Sequence, residues 1–115
     1  MHLFYYLSSC DTCKRIMKTL ALSDDIKQID IKKSPLTAAQ LEVLYQHSGS
    51  YEALLNKRAQ KLKEIDKSSL DETAIKSLLL LHYTFLKRPV LLYKDKLYIG
   101  KAKATVALAK EALDG

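Results

Sequence analysis

Two cysteines separated by two residues are the clearest candidates for chemistry in this chain. Cys10 and Cys13 are its only cysteines, and they lie in the stretch "YYLSSCDTCKRIM". This spacing lets the second sulfur reach the first without movement of the backbone, so the pair can form and break a disulfide. Such exchange requires a thiolate, which attacks one sulfur of a disulfide. The pair is therefore a candidate redox centre.

Two other interpretations of the cysteine pair are less well supported. A structural zinc site needs four ligands, typically cysteine and histidine. The three histidines, His2, His47 and His82, have no ligand spacing with the pair, so we expect no metal. Free cysteines are also often small buried apolar residues without chemistry. A position between a strand and a helix argues against that interpretation here.

The elements around the pair predict where its two thiols lie. "HLFYYL" at residues 2–7 and "IKQIDI" at residues 26–31 have strand patterns, and residues 11–22 between them have helical spacing. This order predicts a βαβ unit with a parallel strand pair. Cys10 then lies at the N-terminus of the helix, where unpaired N–H groups and the helix dipole favour the thiolate. In this context C-x-x-C is a thioredoxin-like redox motif.

The rest of the chain divides into a helical block and a strand-rich tail. In the block, residues 33–82, Thr37 and Gln40 have capping-box spacing, Gly49 ends that helix, and short helical turns carry Arg58. The last helix of the block begins at Ser69 or Asp71. The tail predicts strands at 90–93 and 96–99, a tight turn at "KDK" and a terminal helix. We expect one domain over residues 1–115.

Composition excludes several classes of protein. The chain has 115 residues, of which 48% are hydrophobic, and a formal net charge of +6. No apolar run has membrane-spanning length, and no signal-peptide pattern is found, which predicts a cytoplasmic protein without a membrane partner. The basic residues are scattered, so we expect no direct nucleic-acid binding. The positive balance favours small anionic substrates or acidic partners.

Three segments of the chain resemble the arsenate reductase family, the ArsC/Spx-type branch of thioredoxin-like proteins. They are "LFYYLSSCDTCKR", "LLNKRAQKLKEID" and "LLLLHYTFLKRPVLLYKDKLYIG", in the order of the family and over nearly the whole chain. C-x-x-C together with "NKR" and "KRPVL" at these separations is a specific combination. The resemblance implies an α/β, thioredoxin-like fold, βαβ–ββα, with the helical block inserted between the halves.

The resemblance also implies roles for individual residues. Cys10 matches the nucleophile of the family, and Arg58 and Arg88 match arginines that surround an oxyanion next to it. The chain has only three arginines, and two of them lie at these positions. Guanidinium groups give bidentate contacts to a tetrahedral oxyanion that lysine cannot copy. Pro89 matches a proline that is usually cis and lies opposite the cysteine loop, where it contributes to substrate binding.

Two functions from different classes follow from the resemblance. The first is a thiol oxidoreductase that acts on a small oxyanion or a thiol substrate, with Cys13 as a resolving thiol. It would need no bound cofactor and would take glutathione, glutaredoxin or thioredoxin as reductant. Arsenate-reducing members have a further arginine after the last strand, where this chain has Lys101 and Lys103. The second is an Spx-like regulator that binds RNA polymerase and senses redox state through a Cys10–Cys13 disulfide.

Overall fold

The computed structural model describes residues 2–115, which form two units. The first unit consists of the described part of Met1–Ser34 together with Arg88–Gly115, and the second is Pro35–Lys87. The second unit corresponds to the predicted helical insert, with limits a few residues later than the expected 33 and 82. The single-domain organisation stays a prediction.

The first unit carries a mixed four-stranded sheet, counted within the described residues. The sheet has the strand order β2-β1-β3-β4, with β1 parallel to β2 and antiparallel to β3, and β3 antiparallel to β4. This α/β arrangement is the predicted thioredoxin-like βαβ–ββα fold. Its elements are β1 (Leu3–Tyr6), α1 (Asp11–Leu20), β2 (Lys27–Asp30), β3 (Val90–Tyr93), β4 (Lys96–Ile99) and a terminal helix, Lys103–Asp114.

Strand register places three chain segments at one edge of this sheet. Tyr6 at the end of β1 is opposite Asp30 at the end of β2. Tyr5 is opposite Val90, the first residue of β3. The loop that leaves β1, the end of β2 and the segment that enters β3 therefore lie side by side. These segments contain both cysteines and the Arg88–Pro89 step.

One core cluster of the first unit lies on the face of the sheet that carries Phe4 and Leu91. Phe4 of β1 and Leu91 of β3 are cross-strand neighbours with 0% and 2% exposure. They pack with Ile16 and Leu20 of α1 and with Ala109 of the terminal helix. Burial of each large apolar side chain contributes about 1.5–3 kcal/mol to stability. This packing fixes α1, and with it the position of the cysteines, against the sheet.

The second unit is helical in its described residues. Its elements are α2 (Ala38–Ser48), α3 (Glu72–Leu81) and the short 3-10 helices Glu52–Leu54, Gln60–Glu64, Lys67–Ser69 and Tyr83–Phe85. The terminal helix of the first unit is α4. The predicted capping box begins α2: Thr37 Oγ1 accepts from the Gln40 N–H at 3.1 Å, and Gln40 Oε1 accepts from the Thr37 N–H at 2.9 Å. Gly49 ends α2 with φ of 80°. Asp71, and not Ser69, caps α3.

One local prediction in the second unit was wrong. Arg58 does not lie on a helical turn but in a tight turn in which the Ala59 N–H donates to the Asn56 carbonyl at 3.1 Å. The side chain of Asn56 accepts from the Arg58 N–H at 3.2 Å. Asparagine side chains compete in this way with the helical backbone bond. The competition explains why the short helices stop on either side of Arg58.

Candidate active site

The cysteine loop is a turn followed at once by a helix. The Cys10 N–H donates to the Leu7 carbonyl at 3.0 Å, which closes a turn over residues 7–10. Cys10 is the N-cap of α1 with extended backbone, φ −98° and ψ 112°. Its carbonyl accepts the first helical hydrogen bond from the Lys14 N–H at 3.2 Å. The thiol of Cys10 therefore lies where the first N–H groups of the helix have no partner in the helix.

The surroundings of Cys10 favour its thiolate. Burial raises the pKa of this partly exposed thiol, but four other effects together bring it below its ordinary value. They are the neighbouring Cys13 N–H, the Cys13 thiol and the Thr12 N–H, which stabilise the ionised sulfur, and the positive charge of Arg88. Hydrogen bonds donated to an ionised group stabilise that form. Cys10 is thus the better nucleophile of the pair near neutral pH.

The pKa of Cys13 is shifted in the opposite direction. Its side chain is 1% exposed, and burial raises its pKa to about 11. A hydrogen bond to Cys10 and the charge that develops there act in the same direction. The Leu7 N–H and the charge of Arg88 oppose the increase without cancelling it. Both thiols are free, so the structure describes the reduced pair, with Cys13 protonated beside a more acidic Cys10.

Arg88 and Pro89 lie on the segment that enters β3. Arg88 is half-buried, and its charge lowers the pKa of both cysteines. The Arg88–Pro89 peptide bond is cis, as the resemblance implied. Pro89 is buried, and its carbonyl accepts from the Gly100 N–H at 2.8 Å. The first unit therefore brings together four of the five predicted site residues: Cys10, Cys13, Arg88 and Pro89.

Arg58, the fifth predicted residue, belongs to the second unit. It is exposed in the turn that Asn56 stabilises. Its role as an oxyanion ligand beside Cys10 stays a prediction.

Asp30 is a polar residue of this edge that the sequence analysis did not single out. It ends β2 and is 9% exposed. Its Oδ1 accepts from the Ser8 N–H at 3.3 Å and from the Lys32 N–H at 3.1 Å. Ser8 belongs to the turn that leads to Cys10. A charged residue at the end of a strand predicted to run parallel to β1 was the available signal.

Metal and membrane features are not found in the described part of the chain. Among residues 2–115, no group of three or more histidine, cysteine, aspartate or glutamate side chains could hold a metal ion. No helix over the same residues has the length and apolar character needed to cross a membrane.

Fold and site together define a thioredoxin-like protein with a C-x-x-C centre at the N-terminus of its first helix. Comparison with known families gives the particular group. The ArsC family model matches residues 5–108, so the chain belongs to the ArsC family. At the level of this family, the chain is a thiol oxidoreductase of the arsenate reductase type.

Individual proteins resemble the chain in sequence or in fold. An uncharacterized protein of Haemophilus influenzae is 32% identical over 105 residues, which cover 84% of this chain and 87% of that protein. The solution structure of an arsenate reductase (ArsC) related protein from Brucella melitensis is 25% identical with a TM-score of 0.71, covering 93% of this chain and 92% of that one. An arsenate reductase from Vibrio cholerae shares the fold, with a TM-score of 0.77, 16% identity and 96% coverage of both chains.

Proposed function

We propose that the chain reduces a small oxyanion or a thiol-derived substrate through Cys10, with Cys13 as the resolving thiol. The strongest support is that the pKa values of two neighbouring thiols are shifted in opposite directions. Cys10 has a lowered pKa, while the pKa of Cys13 is raised to about 11. One thiol is thus prepared for attack, and the other is kept protonated until the first has reacted.

The chemistry is a two-electron transfer that the two thiols can supply. With a mixed disulfide of glutathione, the Cys10 thiolate attacks one sulfur, forms a new disulfide and expels the other sulfur as a thiolate. Cys13 then loses its proton to solvent and attacks the Cys10 sulfur. The Cys10–Cys13 disulfide forms, and the second thiolate leaves. Glutathione, glutaredoxin or thioredoxin would restore both thiols by a further exchange.

An oxyanion substrate such as arsenate follows the same sequence. The Cys10 thiolate displaces one oxygen, which leaves as water after protonation, and forms a bond to pentavalent arsenic. Attack of Cys13 on the Cys10 sulfur breaks that bond, and its electron pair stays on arsenic. Arsenite is released, and the two cysteines are oxidised to the disulfide. The charge of Arg88 would offset repulsion between the thiolate and the incoming anion, and Arg58 would do the same.

Turnover assays test this proposal. Arsenate and a glutathione mixed disulfide are each supplied with either glutathione and glutaredoxin or thioredoxin and its reductase. Cys10→Ser should abolish turnover with every pair. Cys13→Ser should abolish the thioredoxin-coupled reaction and leave a glutathione-coupled reaction, because an external thiol can then resolve the adduct.

Arginine variants separate a bidentate contact from simple charge. Arg88→Ala should lower kcat/KM more than Arg88→Lys, since lysine keeps the charge and loses the planar fork. Arg58→Ala tests the second predicted arginine in the same assay. Arg15→Ala is the matched control, because Arg15 is exposed on α1 and contacts Thr12. An unchanged rate in both Arg88 variants would contradict the proposed anion contact.

If the chain turns over neither substrate but readily forms the Cys10–Cys13 disulfide, the result would favour the regulator hypothesis. Retention of RNA polymerase by the oxidised chain, and not by its Cys10→Ser variant, would then be the deciding measurement.

A further inference from the structure

Asp30 occupies an unusual place for a charged residue. It is the last residue of β2, an outer strand of the sheet, yet its side chain is only 9% exposed. Aspartate is rarely buried unless hydrogen bonds compensate the lost hydration. The hydrogen bonds that compensate Asp30 therefore indicate what the residue does for the structure.

The contacts of Asp30 join β2 to the cysteine loop. Its Oδ1 accepts from the Lys32 N–H at 3.1 Å, which stabilises the turn after β2, and from the Ser8 N–H at 3.3 Å. Hydrogen bonds from the Ser8 hydroxyl and from both backbone groups hold the pKa of Asp30 below its usual range against the effect of burial. The carboxylate is thus an ionised acceptor for a group 22 residues earlier in the sequence.

Ser8, whose N–H donates to Asp30, lies inside the turn that leads to Cys10 and α1. Ser8 is the second residue of the turn closed by the hydrogen bond from the Cys10 N–H to the Leu7 carbonyl. The N–H of Leu7, one residue before Ser8, is near enough to the Cys13 thiol to lower its pKa. A shift of Ser8 would therefore change the direction in which Cys10 enters α1. It would also change the alignment of the N–H groups that stabilise the Cys10 thiolate.

The negative charge of Asp30 cannot by itself explain a lowered pKa of Cys10. A negative charge near a thiol raises the thiol pKa, since like charges disfavour ionisation. Lys33 stabilises the ionised carboxylate from the following turn and offsets part of its field. Any contribution of Asp30 to an acidic Cys10 must therefore come from position rather than from charge.

We infer that Asp30 is a positioning residue for the nucleophile: through its hydrogen bond to the Ser8 N–H, it fixes the turn that aligns the Cys10 thiolate with its N–H donors. The inference rests on the proposed function for its significance, but it concerns the ionisation of a thiol and not a substrate. It can fail while turnover is confirmed, and it can hold if no substrate is found.

The test measures the pH dependence of Cys10 alkylation by iodoacetamide in the reduced full chain, with the modified residue identified by mass spectrometry. Asp30→Ala removes the acceptor and the charge, whereas Asp30→Asn keeps the acceptor oxygen and removes the charge. We expect Asp30→Ala to raise the Cys10 pKa by about one unit, the effect of one weakened hydrogen bond to a charged group. The alkylation rate well below the pKa then falls about tenfold. Asp30→Asn should stay close to the wild-type value.

Asp30→Ala and Asp30→Asn distinguish a positional effect from a charge effect, because the two effects shift the Cys10 pKa in opposite directions. If Asp30 acted through its charge, both variants would lower the Cys10 pKa, and that result would overturn the inference. No change in Asp30→Ala, or an equal rise in both variants, would overturn it as well. Asp66→Ala is the matched control. Asp66 Oδ1 accepts from the Ser68 N–H at 3.0 Å, two residues later, as Asp30 Oδ1 accepts from the Lys32 N–H.

A third variant serves if Asp30→Ala does not fold. Asp30→Glu keeps the carboxylate and its charge but moves the oxygens by one methylene group. It should raise the Cys10 pKa in the same direction as Asp30→Ala. A wild-type Cys10 pKa in a folded Asp30→Glu variant would overturn the inference.

Discussion

Replacement of Cys13 by serine should make the chain less sensitive to alkaline pH. Cys13 is 1% exposed, and burial raises its pKa from 9.0 to about 11. In the unfolded chain the thiol ionises at its ordinary pKa, so the folded state binds this proton more tightly. The Cys13 contribution to stability is fully present below pH 9 and is lost as the pH rises toward 11. Serine does not titrate in this range, and its hydroxyl can still donate to the Cys10 sulfur.

The size of the effect follows from the two pKa values. A difference of two units corresponds to about 3 kcal/mol of unfolding free energy, lost completely only above pH 11. At pH 10 the loss is about 1 kcal/mol, because the unfolded thiol is then mostly ionised and the folded one mostly protonated. The buried hydroxyl adds a destabilisation of the variant that does not depend on pH.

Urea unfolding of wild type and Cys13→Ser, under reducing conditions at several pH values between 7 and 10, measures the difference. The difference in unfolding free energy between the two proteins should be constant up to pH 8 and should narrow by about 1 kcal/mol at pH 10. The other residues are common to both proteins, so their contributions cancel in the comparison. A gap that stays constant over the whole range would refute the argument that burial keeps Cys13 protonated.

Three further predictions concern the two thiols and the second unit. In Cys13→Ser, the alkylation midpoint of Cys10 should lie below that of a free cysteine peptide measured alongside; a midpoint at or above that reference would remove the activated nucleophile. Mild oxidation of wild type should give a Cys10–Cys13 disulfide, detected by mass spectrometry of tryptic peptides, whereas exclusively intermolecular products would contradict a resolving role for Cys13. Thr37→Ala should lower the unfolding free energy by about 1 kcal/mol in urea titrations, because it removes the capping box of α2. Thr19→Ala is the control, since Thr19 is an exposed residue of α1.

Local patterns were sufficient to predict most element boundaries. The strands Val90–Tyr93 and Lys96–Ile99 begin and end where their sequence pattern indicates. Between them, Lys94 and Asp95 have φ values of 49° and 64°, the left-handed conformations of a two-residue hairpin turn. Each of these features depends on neighbours in sequence, so a pattern of a few residues contains the necessary information.

Features that depend on sheet order were not accessible to the same reasoning. A strand with alternating residues, such as "IKQIDI", shows which side chains share a face but not what covers Asp30. Burial of Asp30 requires β1 to end beside β2 and Ser8 to follow β1 directly, which is a property of the pairing. The predicted meeting of Cys10 with Arg88 likewise came from the family resemblance, since 78 positions separate them in sequence.

The different roles of the two cysteines follow from their offset of three residues on one helix. Cys10, at the N-cap, lies beside the first N–H groups of α1 and contacts solvent, while Cys13, one turn later, faces the interior and loses hydration. Two of the effects that keep Cys13 protonated, a hydrogen bond and a charge, come from Cys10 itself. In a mixed disulfide of Cys10 both effects would disappear, whereas Arg88 would continue to favour the Cys13 thiolate. Reaction at the first thiol therefore lowers the pKa of the second, and this change gives the proposed exchange its order.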